Sequence, residues 1–223
     1  MINIILRRGQ LAILALFILL SSSACTTYIY TPKGSDKYPA IIVLHTSGGL
    51  TSHEKQFASK LSNDGYVAVA VNYFTQGGTD NIDTAYDMLI QHPRVKKDSI
   101  GLVGFSKGAT QAIRFAYRSH KFGERKIKAI VSYYGGPWIP QYSSEYFPSI
   151  LLLHGDQDVH VPPSTVEQFC ELQTEIGLLC EAVIYPGVRH AFDSHSVIYN
   201  GYNSVAKKDA YKRTLKFFAK HLD

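Results

Sequence analysis

Short apolar runs rich in β-branched residues recur along the chain: AIIVLH (40–45), YVAVAVNY (66–73), SIGLVGF (99–105), IKAIVSYY (127–134), SILLLHG (149–155) and CEAVIYP (180–186). Each is bounded by turn residues, and a further extended piece is predicted near Tyr28 to Thr31. Between the runs, segments near Ser52 to Asn63, Asp80 to Gln91, Lys107 to Ser119, Ser164 to Ile176 and Ser204 to Leu222 place their apolar residues at helical spacing. Strands that are apolar on both faces and alternate with helices indicate an α/β fold, with a mostly parallel central sheet carrying helices on both faces. No internal repeat, low-complexity block or Pro/Gly-rich linker divides the pattern, so residues 39–223 read as one domain.

Two connections break the rhythm. The segment GGPWIPQYSSEYFP (135–148) is long for such a fold and carries Trp138, Tyr142, Tyr146 and Phe147. Aromatic loops at the carboxyl end of a parallel strand form either substrate walls or plain packing; Trp138, with Tyr73 after an earlier strand, is the wall candidate. The second, RHAFDSHSVIYNGYNS (189–204), leads from the last strand to the terminal helix.

The N-terminus follows a different logic. Residues 1–24 contain no acid, carry Arg7 and Arg8, continue as LAILALFILL (11–20) and then turn small and polar, which is the layout of a secretory signal peptide. The apolar run is about half the ~20 residues that a spanning helix needs. Cys25 directly after small residues resembles the cleavage box of bacterial lipoproteins, in which the thiol is lipidated, although Ser22 stands where that box usually has a larger aliphatic residue. The expectation is an exported protein, anchored to the membrane of a bacterial envelope through Cys25 or, with an ordinary cleavage near Ala24, soluble in the periplasm or secreted. Residues 25–38 then form a tether with a short extended segment. In an oxidising compartment Cys170 and Cys180 can form a disulfide or remain two small buried hydrophobes.

Charge adds little. The chain has 23 Lys+Arg against 18 Asp+Glu, and without Arg7 and Arg8 the net charge is +3, too weak to argue for nucleic acid. The basic residues of the last helix read as a solvated face.

The chemistry centres on SIGLVGFSKGAT (99–110). A strand that turns at once into a helix forces the residue at the turn into a strained backbone and aims it at the crevice beyond the carboxyl ends of the strands. Ser106 is that residue, and Gly104 and Gly108 give helix and strand room to approach. A serine hydroxyl needs a base, and the base needs an acid to hold it. Downstream, HGDQDVHVP offers Asp156 and Asp158 after the penultimate strand, and GVRHAF offers His190 after the last. The order nucleophile, acid, base, each in a loop after a successive strand, suits acyl transfer.

The set GFSKGA, HGDQDVHVP and GVRHAF, with VLHTSGG early in the chain, resembles the dienelactone hydrolase family of the α/β-hydrolase superfamily over roughly Pro39 to Leu222. The resemblance implies an α/β-hydrolase fold, Ser106 as nucleophile, His190 as general base and Asp158, rather than Asp156, as the orienting acid. Dienelactone hydrolases proper use cysteine as nucleophile, so serine here points to general carboxylic-ester or lactone hydrolysis through an acyl-serine. The backbone N–H groups of Lys107 and of Thr46, or of Ser47 one step on, are the expected oxyanion donors. No cofactor is implied, and the only partners expected are a small-molecule acyl substrate and, through the anchor, a membrane.

Three other readings compete. His45, His154, His160, His190 and His195 with the two aspartates could ligate zinc, but no helical ligand spacing such as H-x-x-x-H supports this. His45 and His154 end strands and read as satisfied structural histidines. A serine peptidase of the same superfamily would favour peptidyl over ester substrates, and a catalytically silent envelope-binding protein would not react with a fluorophosphonate.

Overall fold

The computed structural model describes residues 27–73, 80–123, 125–137 and 147–222. Its elements run β1 (Thr27–Tyr30), β2 (Tyr38–Leu44), α1 (Ser52–Asn63), β3 (Val67–Val71), α2 (Asp80–Gln91), β4 (Val95–Phe105), α3 (Lys107–Phe122), β5 (Ala129–Tyr133), β6 (Ser149–Gly155), α4 (Pro163–Glu175), β7 (Cys180–Tyr185) and α5 (Ser204–Leu222). The seven strands form one sheet in the order β1-β3-β2-β4-β5-β6-β7. Only β1 is antiparallel to its neighbour; every other pair is parallel.

Period-two alternation divides the strands between two cores. Ile42, Leu44, Val67, Val69, Ile130 and Leu152 face one core, which α2, α3 and α4 close through residues such as Ile82, Ala112 and Val166. Ile41, Val43, Ala68, Val131, Leu151 and Leu153 face the other, closed by α1 and α5 through Leu61, Ala210 and Phe218. This double cover is why β2 and β3 read as continuous apolar runs. A capping box starts α1: the Thr51 hydroxyl oxygen accepts from the His53 N–H (3.2 Å) and the Thr51 N–H donates to Glu54 Oε2 (2.9 Å).

The structure extends one sequence expectation. β4 begins at Val95, four residues before the apolar run, because Val95 pairs with Tyr38 across a bulge while Lys96, Lys97 and Asp98 face water. The cysteines are resolved in favour of a disulfide, with Cys170 of α4 bonded to Cys180 at the start of β7 and 5.3 Å between their Cα atoms. Among the described residues no helix is long and apolar enough to cross a membrane.

Candidate active site

Ser106 occupies the single residue between β4 and α3, with φ 51° and ψ −118°, a region that non-glycine residues rarely adopt. Such a backbone costs on the order of 1–3 kcal/mol and persists only where the surroundings over-determine it. Here the Ser106 N–H donates to Tyr133 O (2.9 Å), while Ser106 O accepts from the Ala109 N–H (3.0 Å). The flanking glycines are required by contact. A Cβ on Gly104 would lie 2.4 Å from Ala109 N, and one on Gly108 would lie 2.4 Å from both Leu44 O and His45 O. The absence of those Cβ atoms lets α3 seat its first turn directly against the end of β2.

Three side chains that are distant in sequence meet at this edge. His190 Nε2 lies 2.9 Å from Ser106 Oγ, placed to accept the hydroxyl proton, and His190 Nδ1–H donates to Asp158 Oδ2 at 2.6 Å. Asp158 sits in the turn after β6 and is fully engaged. Its Oδ1 accepts the backbone N–H groups of His160 and Val161, each at 2.9 Å, and its Oδ2 lies 3.2 Å from His154 Nε2 in addition to the His190 bond. Burial by itself would raise the pKa of this carboxyl, but the hydrogen bonds from His154, His190 and Val161 outweigh it and hold the group well below the usual carboxylate range. Asp158 therefore stays an anion, fixing the His190 proton on Nδ1 and leaving the Nε2 lone pair directed at the serine. Asp156 is exposed and accepts from the Gly187 N–H (2.7 Å), apart from this arrangement.

The His190 ring is boxed by Tyr134 (4.9 Å between centroids), Tyr199 (4.7 Å) and His160 (5.3 Å). Behind Tyr134 lies a buried polar network. The Tyr134 hydroxyl donates to Asp193 Oδ1 (2.7 Å), and Asp193 Oδ2 lies 2.9 Å from His53 Nε2, with Glu54 on the other side of the same ring. Burial would lower the His53 pKa, yet its bond to Asp193 and then the one to Glu54 raise it to about 9.

The expected oxyanion elements lie at the same edge. Lys107 opens α3, at the positive end of the helix dipole, with its side chain exposed. Thr46 follows His45 in a tight turn in which the Gly48 N–H donates to Thr46 Oγ1 (3.1 Å) and the Gly49 N–H to Thr46 O (3.3 Å). A cleft of about 460 Å³ runs from Thr46 and Ser47 past His53 to Asp193, His195 and Tyr199.

Two expectations change. Tyr73 does not line a substrate wall: it is only 4% exposed, stacks on His45 at 4.0 Å and donates its hydroxyl to His45 O (2.7 Å). It buttresses the end of β2, because its polar tip is already committed to the backbone beneath. His45 is the satisfied strand-end histidine expected, its Nδ1–H donating to Thr46 O (2.6 Å) and its Nε2 accepting from the Tyr73 N–H (3.3 Å). His154, read from sequence in the same way, is more than that. Its Nε2 faces both Val161 O (2.9 Å) and Asp158 Oδ2, so it carries the proton and engages the same carboxylate oxygen as His190. The signal was the four-residue spacing in HGDQD, which a tight turn after a strand can fold back on itself. Trp138 and Cys25 lie outside the described residues.

The doubly covered parallel sheet, with a serine at the strained β4–α3 turn and an acid and a histidine in the loops after β6 and β7, defines an α/β-hydrolase. The sequence model of the dienelactone hydrolase family matches residues 25–91 and 75–222, and the chain belongs to that family. Among curated relatives, an inferred 2-oxo-3-(5-oxofuran-2-ylidene)propanoate lactonase of a Bradyrhizobium species is 25% identical, covering 87% of this chain and 89% of its own. An inferred carboxymethylenebutenolidase of Salmonella typhimurium is 26% identical over 87% of this chain and 82% of its own. Solved structures share the fold: an inferred dienelactone hydrolase of Klebsiella pneumoniae superposes with a TM-score of 0.71 at 22% identity, covering 87% of this chain and 92% of that one. A dienelactone hydrolase-like promiscuous phosphotriesterase from metagenomic libraries gives 0.74 at 19% identity, covering 89% and 93%.

Proposed function

We propose that this hydrolase cleaves carboxylic esters or lactones through an acyl-serine intermediate. The observation that carries the reading is the unbroken line Ser106 Oγ, His190, Asp158, with contacts of 2.9 and 2.6 Å. In the first half-reaction Ser106 Oγ bonds to the substrate carbonyl carbon while its proton passes to His190 Nε2. Negative charge gathers on the carbonyl oxygen, opposite the N–H groups of Lys107 and Thr46, and the imidazolium that forms is stabilised by the Asp158 carboxylate. Collapse breaks the bond to the alkoxy group, which leaves with the His190 proton; in a lactone it stays attached to the acyl chain. Water, deprotonated by His190, then releases the acid and restores the serine.

The ring-opening activities named for the Bradyrhizobium and Salmonella relatives support including lactones. The leader-like residues 1–24 and the cysteine that follows support an exported protein held at an envelope membrane through an acylated Cys25. A fluorophosphonate should label the wild type and leave Ser106→Ala unlabelled. A panel of p-nitrophenyl esters of graded acyl length and of simple lactones should be turned over by the wild type alone. Labelling that survives Ser106→Ala, or faster turnover of peptidyl than of ester substrates, would reject the assignment.

A further inference from the structure

The two loops that carry Asp158 and His190 also carry the most exposed large aliphatic side chains among the described residues: Val159 (85% exposed), Val197 (96%) and Ile198 (86%). They converge, since the His160 ring packs 4.8 Å from the Tyr199 ring, which itself lies against His190. Aliphatic groups clustered this fully in water mark a surface that meets something apolar.

The topology says where that surface stands relative to the N-terminal segment. Because β1 runs antiparallel, its first residue lies at the carboxyl edge of the sheet: Thr27 pairs with Val71, Val71 with Leu44, and Leu44 with Gly104, two residues before the serine. Three strand spacings put Thr27 roughly 14 Å from Gly104. Cys25 lies two residues earlier and can be at most about 7 Å farther along the chain. An acyl chain on Cys25 is therefore tied to the same edge that bears the site, by a tether too short to wrap around the domain.

The loops of that edge, 45–51, 156–162 and 186–203, contain one Lys or Arg between them, Arg189, to which the turn after β4 adds the exposed Lys107. The opposite edge presents exposed Lys33, Lys37, Lys96, Lys97, Lys126 and Lys128.

We propose that the active-site edge faces the bilayer, with Val159, Val197 and Ile198 seated in its interfacial layer, so that the serine receives esters partitioned into lipid. This rests on the reading of Cys25 as the anchor. Aliphatic side chains gain by leaving water, and the short tether from Cys25 holds their edge to the bilayer against the pull of anionic lipid on the lysine-rich edge, which salt screens.

The test uses the full chain in phosphatidylethanolamine–phosphatidylglycerol vesicles, with an environment-sensitive fluorophore on Ile198→Cys or, separately, on Lys97→Cys. Vesicles should blue-shift the label at 198, lipids brominated in their acyl chains should quench it, and the label at 97 should show neither effect. Quenching at 97 equal to or stronger than at 198, or none at 198, overturns the proposal. Co-flotation of the unlabelled chain, and its loss in Cys25→Ser, judges the anchor separately: a chain that floats with an unquenched label at 198 keeps the anchor and loses the orientation.

Discussion

Replacing His53 by glutamine should erase a pH-dependent part of the protein's stability. His53 is held between Asp193 (2.9 Å) and Glu54 (3.5 Å), and its pKa rises from 6.5 to about 9 on folding. A group whose pKa is raised in the folded state contributes stability that is complete below the unfolded value and disappears as pH climbs through the folded one. The window is thus pH 6.5 to about 9. At roughly 1.4 kcal/mol per pKa unit the contribution is about 3 kcal/mol. For a domain of this size that corresponds to about 6–12 °C in Tm. Glu54, lowered to about 2 by its bonds to His53 and Thr51 against the opposing effect of burial, sets the acid limb: its contribution is present above about 4.5 and fades as pH falls towards 2. The two share the His53–Glu54 contact, so their contributions do not add. Urea unfolding at pH 6, 7.5 and 9.5 should show His53→Gln less stable than the wild type by about 3 kcal/mol at pH 6, with the gap closing by pH 9.5. A gap of equal size at both ends of that range would refute this, since the network would then be held by neutral hydrogen bonds and not by the His53 charge.

Further outcomes follow from the site and its scaffold. Asp158→Asn should lower kcat by about 10³–10⁴-fold with little change in KM, since an amide turns the imidazole to the wrong tautomer while leaving the cleft intact; steady-state kinetics showing less than a tenfold loss would remove Asp158 from its assigned role. Gly108→Ala brings a methyl to 2.4 Å from two carbonyl oxygens of the β2 end and should cost about 1–3 kcal/mol by thermal melting. It should lower kcat further than that stability loss explains, because the oxyanion turn must move. Breaking the cross-link with paired Cys170→Ser and Cys180→Ser should cost about 2–3 kcal/mol by the closed-loop argument for ten residues of separation. Dithiothreitol should reproduce the effect in the wild type and do nothing to the double variant.

The fold was legible because period and length are local properties. Double cover of the sheet makes β2, β3 and β6 continuous apolar runs, and the Ser106 turn announces itself through glycines whose side-chain hydrogens alone fit against Leu44, His45 and Ala109. Where a polar residue belongs to a strand the pattern fails, as at Lys96 to Asp98, where pairing with β2 continues across a bulge on a face open to water. Tyr73 shows the limit for side chains. An aromatic residue after a strand can face outward or fold under, and the choice rests on His45 O, a backbone acceptor that no sequence pattern marks.

The same limit explains why the candidate serine, acid and histidine were readable while their support was not. Each of the three sits at a strand end, where topology aims it at the shared edge whatever its neighbours are. His154 is tied to Asp158 by a turn of four residues, but Asp193, His53 and Tyr134 come from three separate elements and meet only because Tyr134 takes up a positive φ of 42° beyond β5 and sends its hydroxyl to Asp193. Tyr134 also packs its ring edge-on to His190, so the charged network and that imidazole share one wall. If that wall positions the imidazole, Tyr134→Phe should leave the fold in place and free Asp193 Oδ1, and the loss should fall on kcat while KM stays within about twofold. Unchanged kcat in a folded Tyr134→Phe variant would show the network to be structural alone.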